Sequence, residues 1–110
     1  MAVSTIKRMA SEYETIVNSA NVNAGNVTLY NGRKLSKYSL IQVSWIVSNR
    51  IRASVVMPRG TLANGVNLEL FYVDSANTQR WADVYYVNDT TVKISCSANA
   101  SGSILAVGII

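Results

Sequence analysis

The sequence predicts an all-β fold: an antiparallel β-sandwich, jelly-roll-like, preceded by a short N-terminal helix or an extended arm. Two observations predict it. Apolar side chains recur at every second position in run after run, the period of a strand with one face on a core. Polar turns rich in Asn, Ser, Asp and Gly separate those runs at regular spacing, the rhythm of a sandwich or barrel. At 110 residues and 49% apolar, the chain suits one domain with its own core.

The elements follow in chain order. Residues 1–17 read as an N-terminal arm and 18–110 as the sandwich domain. Val3, Ile6, Ala10, Tyr13 and Val17 fall at steps of three and four, the seam of a short oligomerising helix. Tyr13–Val17 is equally rich in strand formers, so a turn or helix to about Ser11 is expected to give way to a strand. Asn18–Asn26 reads as a loop by composition. Val27–Tyr30 reads as a short strand, and Asn31-Gly32 as a tight turn, because both residues tolerate positive φ.

The best-defined strand is Ser39–Val47. There Ile41, Val43, Trp45 and Val47 alternate with Gln42, Ser44 and Ile46, which places Trp45 in the core. Ser48-Asn49 turns into Ile51, Ala53, Val55 and Met57, with Arg52 and Ser54 facing the other way, completing a hairpin. Pro58 ends it by removing a ladder donor, and Arg59–Gly65 reads as a loop. Val66–Val73, Gln79–Val87, Thr91–Ser97 and Ser103–Ile110 read as further strands, joined by turns at Ser75–Thr78, Asn88-Asp89 and Asn99–Gly102.

Composition narrows the chemistry. There is no histidine, which removes the usual nucleophilic triads and the commonest metal ligand. Cys96 is the sole cysteine, so neither an internal disulfide nor a cysteine zinc site forms; its place beside Val92 and Ile94 in an alternating run predicts a buried, inert thiol. The formal charge of +4 hints at anionic partners, but the basic residues are scattered, with Lys7-Arg8 and Arg33-Lys34 the only adjacent pairs. Nucleic-acid binding is therefore not expected. No apolar run is long enough to span a membrane, and the N-terminus lacks the layout of a secretory signal. Asn26, Asn88 and Asn99 begin glycosylation-type triplets, at a frequency chance explains.

Six carboxylates remain: Glu12, Glu14, Glu69, Asp74, Asp83 and Asp89. Glu69 and Asp83 lie on alternating strands that would let them face one another across a sheet, as a glycosidase pair must across a cleft. Two amphipathic strands turning acidic residues to solvent are the favoured explanation, and no enzyme is expected. No cofactor or metal site is expected either, since no Asp-rich calcium loop or phosphate-cradling glycine loop is present. Aromatic residues are the remaining handle. Arg80, Trp81 and Tyr86 are the candidate ligand-binding residues: an exposed indole beside a guanidinium can stack on a sugar face and bond its hydroxyls. Tyr85 and Tyr86 point to opposite faces, so only one of them joins Trp81.

Leu29–Ile110 resembles the C-terminal β-sandwich domain of tail-fibre, head-fibre and baseplate-associated proteins of tailed bacteriophages and prophages. The likeness lies in Tyr38–Trp45, in Ser54–Pro58 leading to a glycine-bearing loop, in Trp81–Val87, in Asn88–Ile94, and in the closing Ile104–Ile110. The resemblance implies a virion protein made in the bacterial host cytoplasm, assembled as a homotrimer with other phage structural proteins. It further implies attachment to a bacterial surface component, glycan or protein. Such domains usually close a longer fibre, whereas Met1 opens this chain; a separately encoded tip, a capsid-decoration protein without a receptor, or an excised piece are the forms expected.

Overall fold

A computed structural model describes residues 12–110. Among the described residues, eight strands form two four-stranded antiparallel sheets. The strands are β1 (Tyr13–Asn21), β2 (Gly25–Thr28), β3 (Leu40–Val47), β4 (Arg50–Pro58), β5 (Leu68–Val73), β6 (Gln79–Asn88), β7 (Thr91–Cys96) and β8 (Ser103–Ile109). The first sheet runs β1-β8-β3-β4 and the second β2-β7-β6-β5. The all-β sandwich expected from the two-residue period is therefore what forms. The first two strands pair with the last two, as when a long hairpin wraps round a barrel. Mid-chain the connections are local: β3–β4 is a hairpin within one sheet and β5–β6–β7 a meander within the other.

Inward-pointing residues alternate as the strand period dictates. Ile41, Val43 and Trp45 of β3 and Ile104 and Ala106 of β8 meet Leu68, Leu70, Ala82, Val84, Val92 and Ile94 of the second sheet. Trp45 is wholly buried, as expected. Its indole Nε1 donates to the Ser101 carbonyl at 2.8 Å, satisfying the one polar atom that burial would otherwise strand. Its ring meets Tyr72 of the opposite sheet edge-on, centroids 4.8 Å apart.

The N-terminal half of the expectations needs correction. The arm boundary at residue 17 falls inside β1, whose register shift between Thr15 and Val17 lets both Ile16 and Val17 enter the core. Tyr13 and Val17 are strand residues, so the helical seam does not run through them; its remainder, residues 3–10, lies outside the described residues. The stretch Asn18–Asn26, expected to be a loop, is strand at both ends: residues 18–21 continue β1, where Ala20 pairs with Ile104 and Asn21 with Ser103, and Gly25 and Asn26 open β2 against Ile94 and Lys93. For Ala20 and Asn21, composition was outweighed by a partner more than eighty residues away.

Other differences are local. Arg59–Ala63 forms one helical turn, α1, which drops Leu62 into the core. Val66 lies before β5 and is exposed. The turns behave as their residues predict: Asn31 and Gly32, and Ser48 and Asn49, all take positive φ. At the strand ends near Tyr13 and Ile109, Leu29 and Leu35 close the core, tied to the β6–β7 turn. Leu29 N–H donates to the Thr90 carbonyl at 2.8 Å, and Leu35 N–H to that of Asp89 at 2.7 Å. The Asp89 carboxylate accepts from the Ser36 N–H and hydroxyl at 2.7 and 2.8 Å, and these bonds hold its pKa below the usual range. No helix among the described residues is long and apolar enough to cross a membrane.

Candidate functional site

The register of β5, β6 and β7 decides which side chains share the solvent face of the second sheet. Leu68, Leu70, Ala82, Val84, Val92 and Ile94 point inward, so the intervening residues point out. Phe71 sits directly opposite Trp81, and Glu69 directly opposite Asp83. On the other flank Asp83 faces Ser95, and Tyr85 faces Lys93. The result is an open surface with two aromatic residues side by side and two carboxylates one step along the strands. Phe71 is 50% and Trp81 36% exposed, an apolar investment that solvent does not reward.

Local structure fixes this register. Asp74 closes the β5–β6 turn: its Oδ1 accepts from the N–H groups of Ala76 and Thr78 at 3.0 and 2.9 Å, and Asn77 takes positive φ. These bonds, with the Arg80 guanidinium, hold the Asp74 carboxyl below its usual pKa. Ser97 ties β7 to Trp81, its Oγ accepting from the Trp81 N–H at 3.1 Å.

The carboxylate pair is asymmetric. Glu69 is exposed, while Asp83 is half-buried. Asp83 Oδ2 accepts from the Tyr85 hydroxyl at 3.1 Å, and that bond pushes the Tyr85 phenol above its ordinary pKa. Asp83 Oδ1 is buried without a hydrogen-bond partner. Like charges opposite one another on neighbouring strands repel, and an unpartnered buried acceptor is costly.

The residues singled out from sequence do not all come together. Trp81 lies on this face. Arg80, its chain neighbour, points to the other side, where its Nε donates to Asp74 Oδ2 at 3.1 Å and its Nη1 to the Ala98 carbonyl at 2.6 Å. The expected indole–guanidinium pair is not formed. Tyr86 shares the parity of the inward residues and pairs with Val92 beside the irregularity at the end of β6, so the tyrosine on Trp81's face is Tyr85. Phe71 was missed as a site residue. Its outward parity was readable, but its position opposite Trp81 depends on the length of the Asp74–Thr78 turn.

Glu69 and Asp83 do face each other across a sheet, as their strands allowed, but on an open surface and not across a cleft. Cys96 is half-buried at the end of β7, and burial pushes its thiol pKa up. Of the scattered basic residues, Arg33 and Lys37 are partnered by Glu14 at 3.7 and 2.7 Å, and Arg33 also donates to the Thr15 carbonyl. Among the described residues, no group of three or more carboxylate or thiol side chains converges as a metal site would require. No protein-family model, curated protein or solved structure matches the chain.

Proposed function

We propose that the protein is a non-enzymatic, virion-associated β-sandwich module of a tailed phage that binds a bacterial surface glycan as a homotrimer. The observation that supports the glycan reading is the Phe71–Trp81 pair beside Glu69–Asp83 on the open face of the second sheet. Flat aromatic rings offer an apolar platform for the C–H face of a sugar ring. The adjacent carboxylates, Glu69 exposed and Asp83 half-buried, accept from its hydroxyls. The phage assignment and the trimer come from the family resemblance alone.

A shallow surface of this kind binds each sugar weakly. Three sites per trimer, and several trimers per particle, convert weak contacts into lasting attachment, because after the first contact the others are intramolecular. The test is retention of the chain on envelope polysaccharide, together with its mass by light scattering. Trp81→Ala is expected to weaken retention about tenfold or more while the sandwich stays folded. A monomeric protein that ignores envelope polysaccharides would remove the reading.

A second reading, a decoration or assembly protein without a receptor, is favoured by the outer face of the first sheet. There Leu40, Gln42, Ser44 and Ile46 of β3 align with Leu105, Val107 and Ile109 of β8, and none is charged. Tight association with other virion proteins, with no attachment defect on deletion, distinguishes it.

A further inference from the structure

At the pole of the sandwich away from Tyr13 and Ile109, a hollow of about 260 Å³ opens between the ends of the two sheets. It is lined by Arg52 of β4, Tyr72 of β5, Asp74 and Arg80 across the β5–β6 turn, and Asn99 and Ser101 from the β7–β8 loop. We infer that this hollow binds a small hydroxylated carboxylate, the chemistry of a single sugar-acid unit, with Arg52 receiving the carboxylate. The site is separate from the Trp81 face, and the inference does not depend on the reading given for that face.

The hollow is held by bonds that fix its walls. Behind it, the edge-on Trp45–Tyr72 contact spans the sheets, and the Trp45 indole anchors the Ser101 carbonyl at 2.8 Å. Gly102 takes φ +100°, and a Cβ there would collide with the Ile46 carbonyl and Val47. The β7–β8 loop can therefore lie hard against β3, which brings Asn99 and Ser101 to the rim. Asp74 closes the β5–β6 turn and grips Arg80 at 3.1 Å.

Charge selects the ligand. Arg80 is committed to Asp74 and the Ala98 carbonyl. Arg52 lies over the Tyr72 ring at 5.9 Å, and none of the chain's six carboxylates reaches it as an ion-pair partner. Two guanidinium groups against one carboxylate leave the hollow one positive charge in excess, which matches a monoanion. A phosphate dianion would over-neutralise that charge while facing Asp74. The volume lies just below the roughly 300–1,000 Å³ of sites for drug-sized molecules, so one ring is the size that fits. Ser75, Asn99 and Ser101 supply groups that exchange hydrogen bonds with hydroxyls.

The experiment is an amide NMR titration of the whole chain with D-glucuronate, D-glucose and inorganic phosphate in turn. Glucuronate is expected to give saturable shifts at Ser75, Asn99 and Ser101, with glucose weaker by about tenfold or more, the worth of one charge-assisted contact. Arg52→Gln, at an exposed edge position, is expected to weaken glucuronate by about the same factor. The inference is overturned if glucuronate gives no saturable shift, if glucose binds equally, if phosphate binds more tightly, or if Arg52→Gln binds as the parent does.

Discussion

The outer faces of the two sheets differ although the same alternation builds both. On the first, Leu40, Ile46, Val56, Leu105, Val107 and Ile109 are interrupted only by uncharged groups such as Gln42, Ser44 and Ser54. The Ser44 and Ser54 hydroxyls satisfy each other at 3.0 Å, so even the polar part of this face makes little demand on water. A shallow hollow of about 520 Å³ lies along it, lined by Glu12, Tyr13, Gln42, Val107 and Ile109, with Glu12 the charged residue of that lining. The second face alternates aromatic and charged rows: Phe71 with Trp81, Glu69 with Asp83, Tyr85 with Lys93. A two-residue period therefore says which side chains leave the core, and nothing about what they meet outside. The outward residues suit the first face to another protein surface and the second to a polar ligand with an apolar side.

Two consecutive residues of β8 give the sharpest test of that difference. Gly108 points inward, where the ring of Tyr38 occupies the place a Cβ would take. Gly108→Val must push a fully buried aromatic residue out of its seat, and overpacking of this kind costs about 1–3 kcal/mol or more. Val107 points outward beside Gln42 and Thr15. Val107→Lys is expected to change monomer stability by less than about 0.5 kcal/mol, while placing a charge on an uncharged face. Urea unfolding should separate the neighbours, and light scattering of Val107→Lys should show any assembly through this face dissociating. Equal destabilisation by both would mean that the first face is not solvent-facing as described.

The next effect belongs to the second face. Trp81→Ala is expected to lower glycan affinity about tenfold or more and stability by about 1 kcal/mol, since over a third of the side chain is already in water. Phe71→Ala should follow it, being the opposite residue in the register. Tyr86→Ala is the control and should bind normally. Binding lost at Tyr86 and kept at Phe71 would move the site off this face.

Much of this architecture was legible in the chain. Ile41, Val43 and Trp45 announce their strand, Asn31-Gly32 announces a positive-φ turn and Ser48-Asn49 a turn, because those signals act between near neighbours. What was not legible depended on distant partners. Residues 18–21 look like loop until β8 pairs with them, and Arg59–Ala63 is helical where Leu62 finds room in the core. The candidate site was half readable. Arg80 and Trp81 are adjacent in sequence and therefore opposed in space, which the strand period already implies. The neighbour that matters, Phe71, is set by a register that only the folded β5–β6 turn fixes.

The smallest expected effect concerns how the first sheet is tied to the segment before β3, and pH reads it out. Tyr38 donates its hydroxyl to Glu14 Oε1 at 2.8 Å. Burial, with that bond adding to it, pushes the phenol up to about 12 from an ordinary value of 10. Hydrogen bonds from Lys37 and then Tyr38 hold the Glu14 carboxyl below its usual range. A raised folded pKa means that the phenol's contribution is complete below about 10 and is lost as pH climbs through about 12. A lowered one means that the carboxylate's contribution is present above the usual carboxylate range and fades as pH falls through its depressed value. Tyr38→Phe should therefore flatten the alkaline limb of stability between pH 10 and 12 but remove only part of the acid limb, because Lys37 still holds Glu14. Glu14→Gln should weaken both limbs. In the second sheet the Tyr85 phenol is also raised by its bond to a carboxylate, but it is less buried than Tyr38, so Tyr85→Phe should flatten the alkaline limb less than Tyr38→Phe does. Denaturant midpoints across pH measure all three, and an alkaline limb unchanged in Tyr38→Phe would show that the first sheet is not tied through this bond.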